Sequence, residues 1–204
     1  LQAQPDHSEA LHLLGMIAYQ DSRHEEAVEY VKQAIALNPS VAEFHNNLGT
    51  VYLELDQVEA AQRHLDTALQ LQPDYADAHY NLGNLLRNKG EFEEAVVHYR
   101  RALELKPDYA GVYNNLGLTL HSQGKLAEAV AHYQKALALM PAYAEAHSNL
   151  GNALTDQGRL EEAVAQYRLV LTLRPADAEI ANQIGVCCRI LGNDEEAEVY
   201  YRKA

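Results

Sequence analysis

Disulfide chemistry is the first thing this sequence lacks. Its only two cysteines, Cys187 and Cys188, are adjacent, and neighbours in the chain cannot staple a fold. They read as small buried thiols. Positive charge is also scarce: 16 Lys and Arg stand against 29 Asp and Glu, giving a net charge of -13. Phosphate binding needs clustered Lys and Arg, so a nucleic-acid partner is not expected. No apolar run is long enough to span a bilayer and no signal peptide is recognised. Direct membrane insertion is therefore not expected, and a cytoplasmic setting is. Nucleophile elbow, P-loop and dinucleotide-binding glycine patterns are all missing. Taken alone, the chain is expected not to be an enzyme and to need no cofactor or metal, although a catalytic domain outside it would be compatible.

Proline is scarce too, and that scarcity makes its placement visible. The six prolines are Pro5, Pro39, Pro73, Pro107, Pro141 and Pro175, each 34 residues from the next. Gly15, Gly49, Gly83, Gly117, Gly151 and Gly185 keep the same step. Punctuation that recurs at one interval marks a stack of identical supersecondary units. Residues 1–7 read as the tail of a preceding repeat. Full repeats follow at 8–41, 42–75, 76–109, 110–143 and 144–177, with a partial one at 178–204, all in a single array over 1–204.

Within one repeat, Ala78, Leu82, Leu85 and Leu86 recur at helical spacing, and Val96, Tyr99, Ala102 and Leu103 do so again. Between them Gly90 can take the left-handed conformation that closes a helix, as can Gly124, Gly158 and Gly192. Ser22 and Asp56 hold that place in the first two repeats and predict slightly different turns. The residue after each proline is expected to cap the next helix. Asp6-x-x-Glu9 and Ser40-x-x-Glu43 suggest reciprocal capping, whereas Ala142 and Ala176 predict weaker starts. Gly83 against Ala95 lets the two helices approach closely, with Leu82 and Tyr99 filling the space around them.

The Leu82-Gly83, Ala95, Tyr99, Ala102, Pro107 constellation resembles the tetratricopeptide repeat, a helix-turn-helix unit of this length. The resemblance covers the whole chain without an insertion. The early Trp of that family is replaced by Leu11, His45, His79, Tyr113, His147 and Ala181, in a chain that has no Trp at all. The expected fold is all-α, a right-handed α-solenoid of stacked helix-turn-helix repeats.

Ten histidines invite a metal reading. Most fall into two periodic series: His45, His79, His147 and His64, His98, His132. Members of one series lie in different repeats, with helices about 8–10 Å apart. A shared zinc needs each nitrogen within about 2.1 Å, so they read as packing residues copied with the unit. The paired acids Glu25-Glu26, Glu93-Glu94, Glu161-Glu162 and Glu195-Glu196 fall in the first turn of each second helix, where they complement its dipole.

The resemblance implies that first helices line a concave groove in which partners bind. On that analogy one row of groove positions is Asn47, Asn81, Asn115 and Asn149. A second contains Thr50, Asn84 and Asn152, and a third is acidic, with Glu9, Glu43, Asp77, Glu145 and Glu179. Asn is a poor helix-interior residue, so its recurrence asks for a reason. A carboxamide both donates and accepts, and could grip an extended peptide by its backbone. The same ladder could equally bond to neighbouring helices. The acidic row favours a basic or neutral protein partner, or is simple first-turn capping. The places where chaperone-binding members carry a Lys and Arg clamp hold His12, Asn46, Tyr80, Asn114, Ser148 and Asn182, so an acidic tail is not expected.

Three functions follow. The first is a non-catalytic interaction scaffold for an extended peptide or a partner helix. The Asn-Leu-Gly signature also resembles the repeat array of O-linked N-acetylglucosamine transferases, which implies a substrate-recruiting segment of a larger glycosyltransferase. The third is a self-assembling scaffold, because Ile184, Cys188, Tyr201 and Ala204 are expected to leave an apolar end face open.

Overall fold

A computed structural model describes residues 7–204. Compactness divides the chain into Leu1–Lys106 and Pro107–Ala204. The first unit holds α1 (His7–Gln20), α2 (His24–Leu37), α3 (Ala42–Glu54), α4 (Val58–Leu71), α5 (Ala76–Asn88) and α6 (Phe92–Leu105). The second holds α7 (Ala110–Ser122), α8 (Leu126–Leu139), α9 (Ala144–Asp156), α10 (Leu160–Leu173), α11 (Ala178–Ile190) and α12 (Asp194–Tyr201). Among the described residues every element is a helix. Each unit is a stack of helical hairpins, the α-solenoid class. Within a unit each helix packs on the next, and first helices of consecutive hairpins also touch, α1 with α3, α3 with α5 and α7 with α9.

The core runs as a stripe through each stack. Ala27, Ala61, Ala95, Ala129 and Ala163, early in the second helices, are completely buried, as are Ala34, Ala68, Ala102 and Ala136. These small side chains let backbones approach, and larger ones close the remaining space. Tyr99, Tyr133 and Tyr167 are among the largest fully buried side chains. The tyrosine ring lies directly on the glycine of the facing helix. A Cβ added to Gly83 would sit 2.7 Å from Tyr99 Cε1, and one added to Gly117 would sit 2.7 Å from Tyr133 Cε1. The glycine is there to admit a ring, and its contact with the small Ala95 is secondary.

Hairpin turns close through a left-handed residue. Gly90 has φ +80° and its N–H donates to Arg87 O at 3.0 Å, while Glu91 N–H reaches back to Leu86 O at 2.9 Å. Ser22 and Asp56 adopt the same region, at φ 60° and 56°, where a Cβ is unfavourable.

The expected caps are not where the residue preferences put them. Helices α3, α5, α7 and α9 start three residues after the proline, and the residues at their N-caps, Val41, Tyr75, Tyr109 and Tyr143, make no side-chain cap. The Pro-X pair forms a turn of its own, so the residue after proline stands one position too early to reach the first free N–H groups. Ser40 Oγ donates instead to Asn38 Oδ1 at 3.0 Å. The sixth repeat, expected to start weakly, has a real cap: Asp177 Oδ1 accepts from Ile180 N at 3.1 Å. Pro5 and the Asp6 capping box lie outside the described residues.

The expectation of an open apolar end is also corrected. Ile184 and Cys188 are 0% and 1% exposed. The Tyr201 ring closes on Gly185, whose added Cβ would lie 2.8 Å from Tyr201 Cδ1. Helix α12 therefore covers α11, and of the named residues only Ala204 is exposed.

Candidate functional site

The asparagine row is tied into the protein from behind. In the first unit Asn47 Nδ2 donates to His12 Nε2 at 2.8 Å, and Asn46 Nδ2 donates to Asn47 Oδ1 at 3.1 Å. Asn81 Nδ2 then donates both to Asn46 Oδ1 at 2.9 Å and to Thr50 Oγ1 at 3.1 Å. Thr50 in turn donates to Asn46 O at 3.1 Å. A continuous polar chain thus crosses from α1 through α3 to α5. Because the amide can only donate to His12 Nε2, the neutral ring carries its proton on Nδ1, and burial holds its pKa down against the pull of Glu43.

The second unit repeats the device. Asn149 Nδ2 donates to Asn114 Oδ1 at 3.0 Å, and Asn114 Nδ2 to Asn115 Oδ1 at 3.1 Å. Asn46 and Asn114 are only 3% and 5% exposed. These two positions, where chaperone-binding members of the family would carry a charged clamp, are buried acceptors here that bolt one repeat to the next. The period could not reveal this, since a row that faces a partner and a row that faces its neighbour recur equally.

What each amide leaves over differs by position. Asn81 and Asn149 are half-buried and use only their nitrogens within the protein, so their Oδ1 atoms have no partner among the described residues. Asn152 is arranged the other way round. Tyr167 Oη donates to Asn152 Oδ1 at 2.7 Å, and the exposed Nδ2 has no partner among the described residues. Asn84 receives the same bond from Tyr99 at 2.8 Å. Asn149 and Asn152 are three residues apart on α9 and share one face. That face therefore presents a fixed acceptor and a fixed donor one turn apart. Asn47 has both ends of its amide engaged, and the Thr50 hydroxyl is used on both sides.

The acidic row is uneven. Glu43 is exposed and Asp77 half-buried, and neither forms an ion pair among the described residues. Burial first, and these two acids after it, push the Tyr75 hydroxyl up to about 12. Glu145 is held below the usual carboxylate range, first by its bond to Arg174. A hollow of 360 Å³ in the second unit is lined by Glu145, Ser148, Asn149, Arg174, Asp177 and Glu179, with Ile180 beneath. First-turn acids of the second helices, Glu26 and Glu162 among them, pair with Arg23 and Arg159 at the surface.

Sequence reasoning missed the meeting of the two histidine series. Each series alone is spread over repeats, but the two converge inside one hairpin. His45 Nδ1 lies 3.1 Å from His64 Nδ1, and His79 Nδ1 lies 2.9 Å from His98 Nδ1. Their outer nitrogens donate to Pro39 O at 3.2 Å and Pro73 O at 2.9 Å, which leaves His45 and His79 Nδ1 as acceptors. In the fifth repeat His147 keeps the Pro141 contact at 3.0 Å but meets the Gln166 carboxamide, at 2.8 Å. A constant separation of 19 residues was the signal available. No group of three or more His, Cys, Asp or Glu is arranged to hold a metal ion among the described residues, and none of their helices is long and apolar enough to cross a membrane.

The family model described as TPR repeat matches residues 51–90, 83–124, 117–155 and 151–186. Two described as tetratricopeptide repeat match 18–68 and 178–204. No curated protein matches. Among solved structures, PilW, a widely conserved type IV pilus biogenesis factor, is 21% identical, with a TM-score of 0.88 over 97% of this chain and 91% of that one. PilF of Pseudomonas aeruginosa is 22% identical, with a TM-score of 0.86 over 95% and 88%. Both share the fold. YrrB, described as a TPR protein with an unusual peptide-binding site, is 27% identical, with a TM-score of 0.73 over 86% of this chain and 91% of that one. Repeat models along most of the chain, and TPR structures over nearly all of it, make this chain a member of the tetratricopeptide repeat family, an architecture of protein-interaction scaffolds.

Proposed function

We propose that this chain is a non-catalytic scaffold that captures an extended polypeptide on the face of its first helices. The observation that carries the reading is the pair Asn149 and Asn152. One offers an unused carbonyl oxygen and the other an unused amide N–H₂, and both are immobilised by the protein. A peptide group presents the matching donor and acceptor, and amides already fixed in place lose little freedom on binding. Asn81 Oδ1 supplies a similar acceptor in the first unit. Repeats about 10 Å apart correspond to roughly three residues of extended chain. Contacts of this kind read backbone, so the register of side chains is set elsewhere. Glu43 and Asp77, which no described cation neutralises, favour a basic or neutral partner. Glu145 contributes less to that preference because Arg174 already holds it. The unusual peptide-binding site of YrrB is a precedent among similar folds.

Asn152→Asp tests the reading with little change to the fold, because the Asp oxygen still accepts from Tyr167 while the outward donor is lost. Peptides selected from a displayed random library on the wild-type protein should bind Asn152→Asp about tenfold or more weakly, the loss expected for a charged-for-neutral swap at a hydrogen-bonding position. Fluorescence anisotropy at low and high salt separates the lost donor from the added charge. Equal affinity for both proteins at high salt would refute the site.

A further inference from the structure

The two histidine pairs of the first unit have no part in peptide capture, yet their geometry is that of donor sets. Each pair joins the first helix of a hairpin to its second, α3 to α4 through His45 and His64, and α5 to α6 through His79 and His98. A ligating imidazole characteristically donates its other ring N–H to a carbonyl, which fixes the tautomer and aims the free nitrogen. His45 and His79 do this through Pro39 O and Pro73 O. Two nitrogens each about 2.0–2.1 Å from one ion, and separated as these are, subtend roughly 90–100° at it. That is the cis angle of a tetragonal or square-planar ion, and imidazole nitrogen suits copper(II) and nickel(II).

We propose that these pairs are binding sites for a divalent transition-metal ion of the copper(II) type, with His79–His98 the stronger of the two. Without metal the rings share a proton: His98 Nδ1–H donates to His79 Nδ1. On binding, the ion takes both Nδ1 lone pairs and the His98 proton moves to its Nε2. The rings turn about χ2, a broad sp³–sp² torsion. No net proton is released from the neutral pair, and water fills the remaining positions.

The two sites differ in access and field. His79 and His98 both line a surface hollow of 360 Å³ with Arg100, Arg101 and Glu104, which gives an entry path. Arg101 is neutralised there by Asp74 and Glu104. His45 is only 7% exposed. Arg63 and Lys32 lie near enough to act on His64 by their charge. Their two charges oppose a bound cation, against Arg100 alone at the other pair, and His45 is the more enclosed, so His45–His64 is the weaker site. The His147–Gln166 pair is a built-in control, the same position with one ligand missing.

The test is a Cu²⁺ titration of the full chain at neutral pH, by calorimetry and by electron paramagnetic resonance for nitrogen coordination. His98→Gln should weaken the stronger site at least about tenfold, a loss of the size seen when even an outer-shell partner is removed. His64→Gln should remove the weaker one. Helicity is retained in both variants, since the fifth repeat carries Gln there naturally. If the double variant binds Cu²⁺ with the stoichiometry and affinity of the wild type, the ions reside on other groups and the proposal is wrong. It fails equally if the wild type shows no nitrogen-coordinated ion.

Discussion

Replacing Gly83 by Ala puts the glycine–tyrosine contact to a quantitative test. The added methyl would lie 2.7 and 2.8 Å from two ring carbons of Tyr99 and 3.1 Å from a third, well inside ordinary contact. The ring has little room to retreat, being 0% exposed and tethered through its hydroxyl to Asn84 at 2.8 Å. Overpacking of this kind costs about 1–3 kcal/mol. Ala in place of a mid-helix Gly returns roughly 0.5–1 kcal/mol. The net expectation is a loss of about 0.5–2 kcal/mol, which urea denaturation followed by circular dichroism resolves. A double-mutant cycle isolates the cause. In a Tyr99→Ala background the space is empty, so Gly83→Ala should become stabilising, with a coupling of about 1–3 kcal/mol. Additive effects, or a Gly83→Ala protein more stable than the wild type, would show that the ring does not lie on the glycine.

Two further outcomes follow from backbone and charge. Ser22→Gly should raise the thermal midpoint by the equivalent of about 0.5–1 kcal/mol, because φ 60° is unfavourable for a residue with a Cβ; Asp56→Gly should gain less and Gly90→Ala should lose about 1–2 kcal/mol, the latter from local backbone strain alone, as no atom beyond its chain neighbours lies within 4 Å. His64 has its folded pKa lowered from 6.5 to about 4, so between those values the unfolded chain binds more protons and stability falls as pH drops through that window; His64→Gln should flatten the pH dependence of the urea midpoint there, and an unchanged profile would show that the His64 ring is not buried as described.

Much of the fold could be read from the sequence because its breaks repeat. Gly90 and its equivalents mark left-handed turns, and Ser22 and Asp56 were identifiable as the exceptions. Helix starts were misplaced because a proline and its follower form a turn before the helix begins, a geometric detail that residue preference alone does not carry. The site was legible only as a set of rows. A 34-residue period assigns Asn46 and Asn81 to different rows and cannot show that the second donates to the first across the repeat boundary. The histidines failed in the same way, since contact joins two rows that periodicity keeps separate. The end face was misjudged for another reason: the partial last repeat still supplies Tyr201, enough to cover Gly185.

The bond between Tyr167 and Asn152 has an optical consequence. With no tryptophan in the chain, near-ultraviolet absorption and intrinsic emission come mainly from tyrosine. Tyr167 is buried, its ionisation is pushed up to about 12 by burial, and its hydroxyl reaches the proposed contact surface through a single amide. A ligand that draws on Asn152 changes the strength of that bond and shifts the phenol spectrum. The protein thus carries a built-in chromophore wired to the face where a polypeptide would lie, readable without any added dye.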